Sequence, residues 1–236
     1  MYTLFRKLSV IILSGAAAVL PLAGQGAVSP PTTLRFYYLN QADANPGRAE
    51  PTLSGWLKDS SQSTPIEVDP GSSSPSFSYA GPGPVKLYSE EPTAGGREGK
   101  VIASLPLPAG APGVLYLVSH GSGRFQFRPL PYSAALIPAG AAKVFNLCPE
   151  PLLVTLGKRE VLIPAQGDVV LAVADTGLVL PVKVSRTVPG KPSSVLIETA
   201  VPAGKASQRL LYVLIPDSPA FNTALLLQLG DISVGQ

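Results

Sequence analysis

The stretch PAGAPGVLYLV, residues 108–118, returns as PAGKASQRLLYVL at 202–214, and the return decides how the chain is divided. From Leu115 onward, LYLVSHGSGRFQFRPL lies without a gap on LYVLIPDSPAFNTALL from Leu211. This sets Tyr116 on Tyr212, Ser122 on Ser218 and Phe125 on Phe221. Working backward, GKVIASLPLPAG (99–110) matches SSVLIETAVPAG (193–204), and residues 66–90 match 161–185. Earlier still, FYYLN ending at Asn40 parallels AKVFN ending at Asn146. The order of elements holds throughout, with a period of roughly 100 residues, too long for a solenoid repeat and about the size of a β-sandwich domain.

The chain therefore reads as a tandem duplication, with one unit over 33–137 and a second over 138–236, joined near Pro131 to Ala139. Gly and Pro number 23 and 26 among 236 residues, and charged residues are only 14%, a balance that favours short apolar strands joined by tight turns over helices, whose interiors exclude Pro. In LRFYYLN, Leu34, Phe36 and Tyr38 alternate with Arg35, Tyr37 and Leu39; in PVKLYSE, Val85 and Leu87 alternate with Lys86 and Tyr88. Such alternation marks strands with one buried face. The second unit offers about seven such segments, from AKVFNL to QRLLYVLI, and the apolar stretch Ala220 to Leu229 reads as a further strand by its match to the first unit. PGSSSP, GPGP and RTVPGKP break them as turns or loops. The expected fold is all-β, with two tandem sandwiches of related topology.

Ahead of them, Arg6 and Lys7 precede the apolar run Leu8 to Leu20, with small residues through Ala27. A run of about 13 residues is short for a bilayer span, so residues 1–27 read as a cleaved secretory signal peptide. The mature protein is then expected to be exported, to the periplasm or the exterior, with no membrane span after cleavage. Losing Arg6 and Lys7 leaves 16 basic against 15 acidic side chains, and no basic face of the kind that nucleic acid requires.

One cysteine, Cys148, and one histidine, His120, exclude an intrachain disulfide and the ligand sets of structural zinc; no cofactor is expected. Ser119-His120-Gly-Ser122-Gly-Arg124 sets a histidine between hydroxyls, but neighbours this close in sequence rarely face each other as nucleophile and base, and no G-x-S-x-G elbow accompanies them, so it reads as a surface turn. Cys148 in NLCPEP reads as a shielded core residue. Only Glu90 and Glu91 are adjacent acids, and Asp43, Glu67 and Asp69 lack the loop spacing of a calcium site. An enzyme is not expected.

The two units differ in one respect. Eleven aromatics fall in the first unit and three in the second, so part of that excess is expected outside the shared core. Tyr37 and Tyr88 lie on the face opposite their strands' core positions, and Trp56 lies in an insertion spanning 41–65. These three are the candidate contact residues, because exposed aromatics on a β face suit sugar rings or protein partners.

The two-unit plan, the Asn closing each first strand, the PAG turns at 108–110 and 202–204, and VFNLCPEPLLVTLGKREVLIPA (144–165) together resemble exported bacterial tandem β-sandwich modules, broadly immunoglobulin-like. That family has no assigned reaction, so the resemblance carries no functional residues over. The function expected from all this is a non-catalytic exported envelope protein acting as a structural or protein-interaction module, with an envelope protein or a polysaccharide as partner. The alternative is a carbohydrate-binding module built on the aromatic-rich first unit.

Overall fold

A computed structural model describes residues 31–40, 50–59, 62–81, 83–92, 99–173, 179–187, 193–216 and 224–231. Residues 1–27, where a signal peptide is expected, and Asp43, Ser218 and Phe221 lie outside them. The described residues form sixteen strands in four sheets of four, with no helix among them.

In the first unit, β1 (Thr32–Tyr38), β4 (Phe77–Tyr79), β7 (Gly113–Gly121) and β8 (Arg124–Pro131) make one sheet in the order β4-β1-β7-β8. The other contains β2 (Leu53–Lys58), β3 (Ser63–Val68), β5 (Val85–Tyr88) and β6 (Val101–Leu105), in the order β3-β2-β5-β6. The second unit repeats this plan. Here β9 (Ala141–Asn146), β12 (Asp168–Ala172), β15 (Arg209–Pro216) and β16 (Ala224–Asp231) run in the order β12-β9-β15-β16, facing β11-β10-β13-β14, formed by β10 (Leu152–Leu156), β11 (Arg159–Ile163), β13 (Val179–Arg186) and β14 (Ser194–Pro202). In each unit the first strand pairs parallel to the seventh, β1 with β7 and β9 with β15.

Each unit closes its own core between its two sheets. Leu34, Phe36, Leu53, Leu87 and Tyr116 meet in the first, and Val144, Leu152, Ile163, Val184 and Tyr212 in the second. Removing this apolar surface from water is the main drive for two layers to stack.

Pairing registers correct the sequence alignment in three places. With Tyr116 set on Tyr212, the parallel ladders put Phe36 on Val144 and Tyr38 on Asn146, so Asn40 is not the counterpart of Asn146. Along the last hairpin, Tyr116 pairs Pro129 whereas Tyr212 pairs Gln228; followed to the strand end, Phe125 corresponds to Ala224 and not to Phe221. The extra residues belong to the hairpin connection, which in the first unit is only Ser122 and Gly123, both at positive φ (53° and 75°), the requirement of a two-residue type I′ turn. In the middle of the units, the match of 66–90 to 161–185 is two residues out, since Leu87 pairs with Ala103 and Val184 with Ile197, each just before a shift of register, and Ala103 aligns with Ile197.

A shared irregularity supports the duplication independently. Register passes from Leu87–Ala103 to Tyr88–Val101, leaving Ile102 as an extra residue in β6, and from Val184–Ile197 to Ser185–Val195, leaving Leu196 extra in β14. The sequence alignment had already set Ile102 on Leu196.

The two sandwiches are also joined to each other. Leu115 and Leu117 on the outer face of β7, and Leu211 and Val213 on that of β15, are all buried in one apolar cluster with Ile137 and Phe145. Around this seam Arg209 Nε donates to Ile137 O at 2.8 Å, Gly140 N donates to Gln208 O at 2.8 Å, and Arg128 of β8 donates to the Gln166 amide oxygen of the second unit. Gln166, held at a φ of 59°, in turn donates to the carbonyls of Leu147 and Cys148.

Candidate functional site

The three aromatics singled out in the sequence are not brought to one surface. Trp56 belongs to β2, inside a sheet rather than in a loop, and stands half-buried opposite Tyr88 across the β2–β5 ladder. Its strand was hidden in the sequence by Gly55, which occupies the inward position between Leu53 and Leu57 where a strand normally shows a large apolar residue. A Cβ at Gly55 would lie 2.8 Å from Tyr88 O, so the close approach of the two backbones requires glycine there. Tyr88 is buried to 4% exposure, although alternation from Val85 and Leu87 points it outward. Alternation ends at the bulge just described, and a bulge re-aims the side chains beside it. Ser185, its counterpart, is likewise buried out of turn.

Much of the first unit's aromatic surplus goes into its core instead of outside it. Phe36 stacks on Tyr116 with ring centroids 5.2 Å apart, Tyr38 meets Phe125 edge-on at 5.8 Å, and the positions of Phe36, Tyr38 and Phe125 are filled in the second unit by Val144, Asn146 and Ala224. The first core is rich in rings, whereas the second holds only Tyr212 among aliphatic side chains.

His120 is the next-to-last residue of β7, opposite Phe125 and 5.1 Å from its ring centroid, with exposed Ser122 in the adjoining turn. Cys148 is fully buried in the second core. Glu67 and Asp69 are exposed, and Asp69 accepts a hydrogen bond from Thr52 at 2.6 Å. No cluster of three metal-ligating side chains occurs among the described residues.

Tyr37, by contrast, lies half-buried against the seam and lines a cavity of about 140 Å³ between the two units. Arg35, Ser73, Leu115 and Tyr132 line it from the first unit, and Leu211 and Gln228 from the second. Arg35 Nε donates to Ser74 O at 3.3 Å and Nη2 to Ser73 Oγ at 3.0 Å. Burial raises the Tyr132 phenol above its ordinary value, and the positive field of Arg35 pulls in the opposite direction. Neither Arg35 nor Ser73 stands out in the sequence, because a half-exposed arginine and a serine in a serine-rich loop look like any solvated pair.

A second, larger groove of about 660 Å³ opens at the end of the first sandwich, where Thr32, Tyr79 and Leu107 meet the turn at 108–110. No charged side chain lines it among the described residues.

No protein-family model matches this chain, and no curated protein matches it either.

Proposed function

We propose that this chain is a non-catalytic exported envelope protein whose two fused sandwiches act as a structural or protein-interaction module. The observation that carries the reading is the seam, whose buried apolar side chains and cross-unit hydrogen bonds make one stiff body of two units. Domains joined by a polar contact and a flexible linker move independently; a buried apolar contact holds their spacing. Rigid spacing suits a protein that bridges or positions others.

Edges β6 and β14 support an interaction role. Val101, Ile102 and Val195 are each more than 40% exposed on these strands, an apolar display at an open edge, although each strand also carries a bulge and β14 ends in Pro202. Such an edge accepts a partner's strand through main-chain hydrogen bonds. Export rests on the charge and apolar pattern of residues 6–27, which are outside the described part of the chain.

The test is site-specific photo-crosslinking in cells, with the reactive residue at Val195 and, as a remote control, at exposed Lys158. A discrete adduct in the envelope fraction from position 195 and none from 158 is the expected result. Fractionation with the cytoplasm, or adducts indistinguishable between the two positions, would reject the reading.

Carbohydrate binding remains the second reading because the uncharged groove beside Tyr79 and the half-buried ring of Trp56 are both chemically suited to a sugar. Retarded migration in polysaccharide-containing gels that is lost in Trp56→Ala or Tyr79→Ala, with folding retained, would transfer the assignment to it.

A further inference from the structure

The cavity at the seam has an internal counterpart. In the parallel ladders Arg35 pairs with Leu115 and Lys143 with Leu211, while Tyr37 pairs with Leu117 and Phe145 with Val213, so Arg35 and Tyr37 of the first unit occupy the positions of Lys143 and Phe145 in the second. Both pairs stand on the outer face of a first strand, at the seam. Lys143 Nζ lies 4.8 Å from the Phe145 ring centroid and 3.0 Å from Asp168 Oδ2, so the second unit supplies its own carboxylate to this cation. Asp168 is the residue opposite Phe145; the residue bridged to Tyr37 is Ser73.

The first unit thus keeps the cation and the ring but has a serine where the carboxylate should be. Among the described residues no carboxylate forms an ion pair with Arg35, whose two hydrogen bonds go to a hydroxyl and a carbonyl. A guanidinium has five N–H donors in a planar fork that matches a carboxylate, so donors remain beyond those two bonds. Beside it, Leu115, Leu211 and the rings of Tyr37 and Tyr132 provide apolar walls.

We propose that the seam cavity binds a small carboxylate with a compact apolar body, its anionic end on Arg35 in the place that Asp168 fills in the other unit and its apolar part between Leu115 and Leu211. At about 140 Å³ the cavity is close to the size, about 150 Å³, at which an apolar protein cavity takes a benzene-sized guest. Benzoate therefore has the right dimensions and charge. The same chemistry is available from a free small acid or from the C-terminal carboxylate of a peptide ending in an apolar residue. Because Leu211 and Gln228 come from the second unit, either ligand touches both sandwiches.

The experiment titrates purified protein with benzoate, with benzamide as the neutral isostere, and with a dipeptide ending in phenylalanine as free acid and as amide, following backbone and methyl resonances by NMR. Saturable shifts at Arg35, Leu115 and Leu211 with benzoate or the dipeptide acid are expected, with both amides weaker by at least about tenfold. Whichever acid binds more tightly identifies the source. Arg35→Gln should weaken binding by a similar factor. Ser73→Asp should abolish it while melting at or above the wild-type temperature, since it installs the carboxylate the other unit already has. Absence of saturable shifts with either acid up to about 20 mM, equal binding of acid and amide, or undiminished binding by folded Ser73→Asp would each overturn the proposal. These outcomes use defined molecules and leave the envelope reading unaffected.

Discussion

Tyr116 and Tyr212 are one position of the repeated unit, yet their hydroxyls are treated differently. Tyr116 donates to Pro106 O at 3.0 Å, whereas the buried hydroxyl of Tyr212 has no hydrogen-bond partner among the described residues. Tyr116→Phe should therefore destabilise by about 1–2 kcal/mol, since it strands a carbonyl, while Tyr212→Phe should be neutral or stabilising by up to about 1 kcal/mol. Denaturant midpoints of the two variants check this. Equal losses would show that the Tyr212 hydroxyl is satisfied.

The same phenols set the alkaline limit of the fold. Burial pushes Tyr212 up to about 12 and raises Tyr116, and burial together with the Glu50 carboxylate pushes Tyr38 up to about 12, against an ordinary value of 10.0. The folded chain holds these protons where the unfolded chain has released them. Stability is accordingly intact below about pH 10 and falls as the pH rises from there through about 12. Tyrosinate absorbance and circular dichroism followed together should change in step over that window, and Tyr212→Phe should flatten the decline.

Asn146 is fully buried, its Nδ2 facing the carbonyl oxygens of Glu150, Ile163 and Pro164 at 2.9–3.2 Å and its Oδ1 accepting from Cys148 N at 3.0 Å. It ties the ends of β9 and β11 together. Asn146→Ala should cost about 2–3 kcal/mol, and Asn146→Asp more, about 3–5 kcal/mol at neutral pH, because a carboxylate would face three carbonyls. Melts of Asn146→Asp should improve relative to wild type in acid, where the new carboxyl is protonated. A loss no larger than that of the alanine variant at any pH would contradict this account.

A thiol reagent should label native Cys148 slowly and the denatured chain fast, as expected of a sulfur with 0% exposure inside the second core. Rapid native labelling would mean that this core opens locally.

Truncation separates the three aromatics. Tyr88→Ala removes a buried ring and should cost about 3–5 kcal/mol, Trp56→Ala and Tyr37→Ala less because both rings are half-buried. Thermal melts rank them. A Tyr88 variant as stable as wild type would return that residue to the list of contact candidates.

These results also show where the sequence is legible. Seven strands of the second unit announce themselves by apolar segments and the breakers around them, β16 is reached only by its match to the first unit, and the alignment sets Ile102 on Leu196, the two residues that the ladders show to be extra. By contrast, β2 is concealed because Gly55 removes the side chain that would complete its alternation, and Tyr88 is misplaced because a bulge suspends the period of two. The identity of Asn40 with Asn146 attracted the alignment away from Tyr38, whose ring fills the space that an amide and its carbonyl partners fill in the other core. Pairing of Arg35 with Ser73 carries no periodicity at all. It acquires meaning only when the ladders set it beside Lys143 and Asp168.

The seam has a bearing on descent. Leu115 answers to Leu211 and Leu117 to Val213, so the face one unit presents is the face the other presents back, as across the axis of a twofold homodimer. A forebear with a single sandwich and this surface would have self-associated through it. Joining two copies in one gene would have turned an encounter that depended on concentration into a permanent one, and freed each half to diverge: one kept an internal counter-ion and a mostly aliphatic interior, the other an aromatic-rich interior and an arginine without a carboxylate.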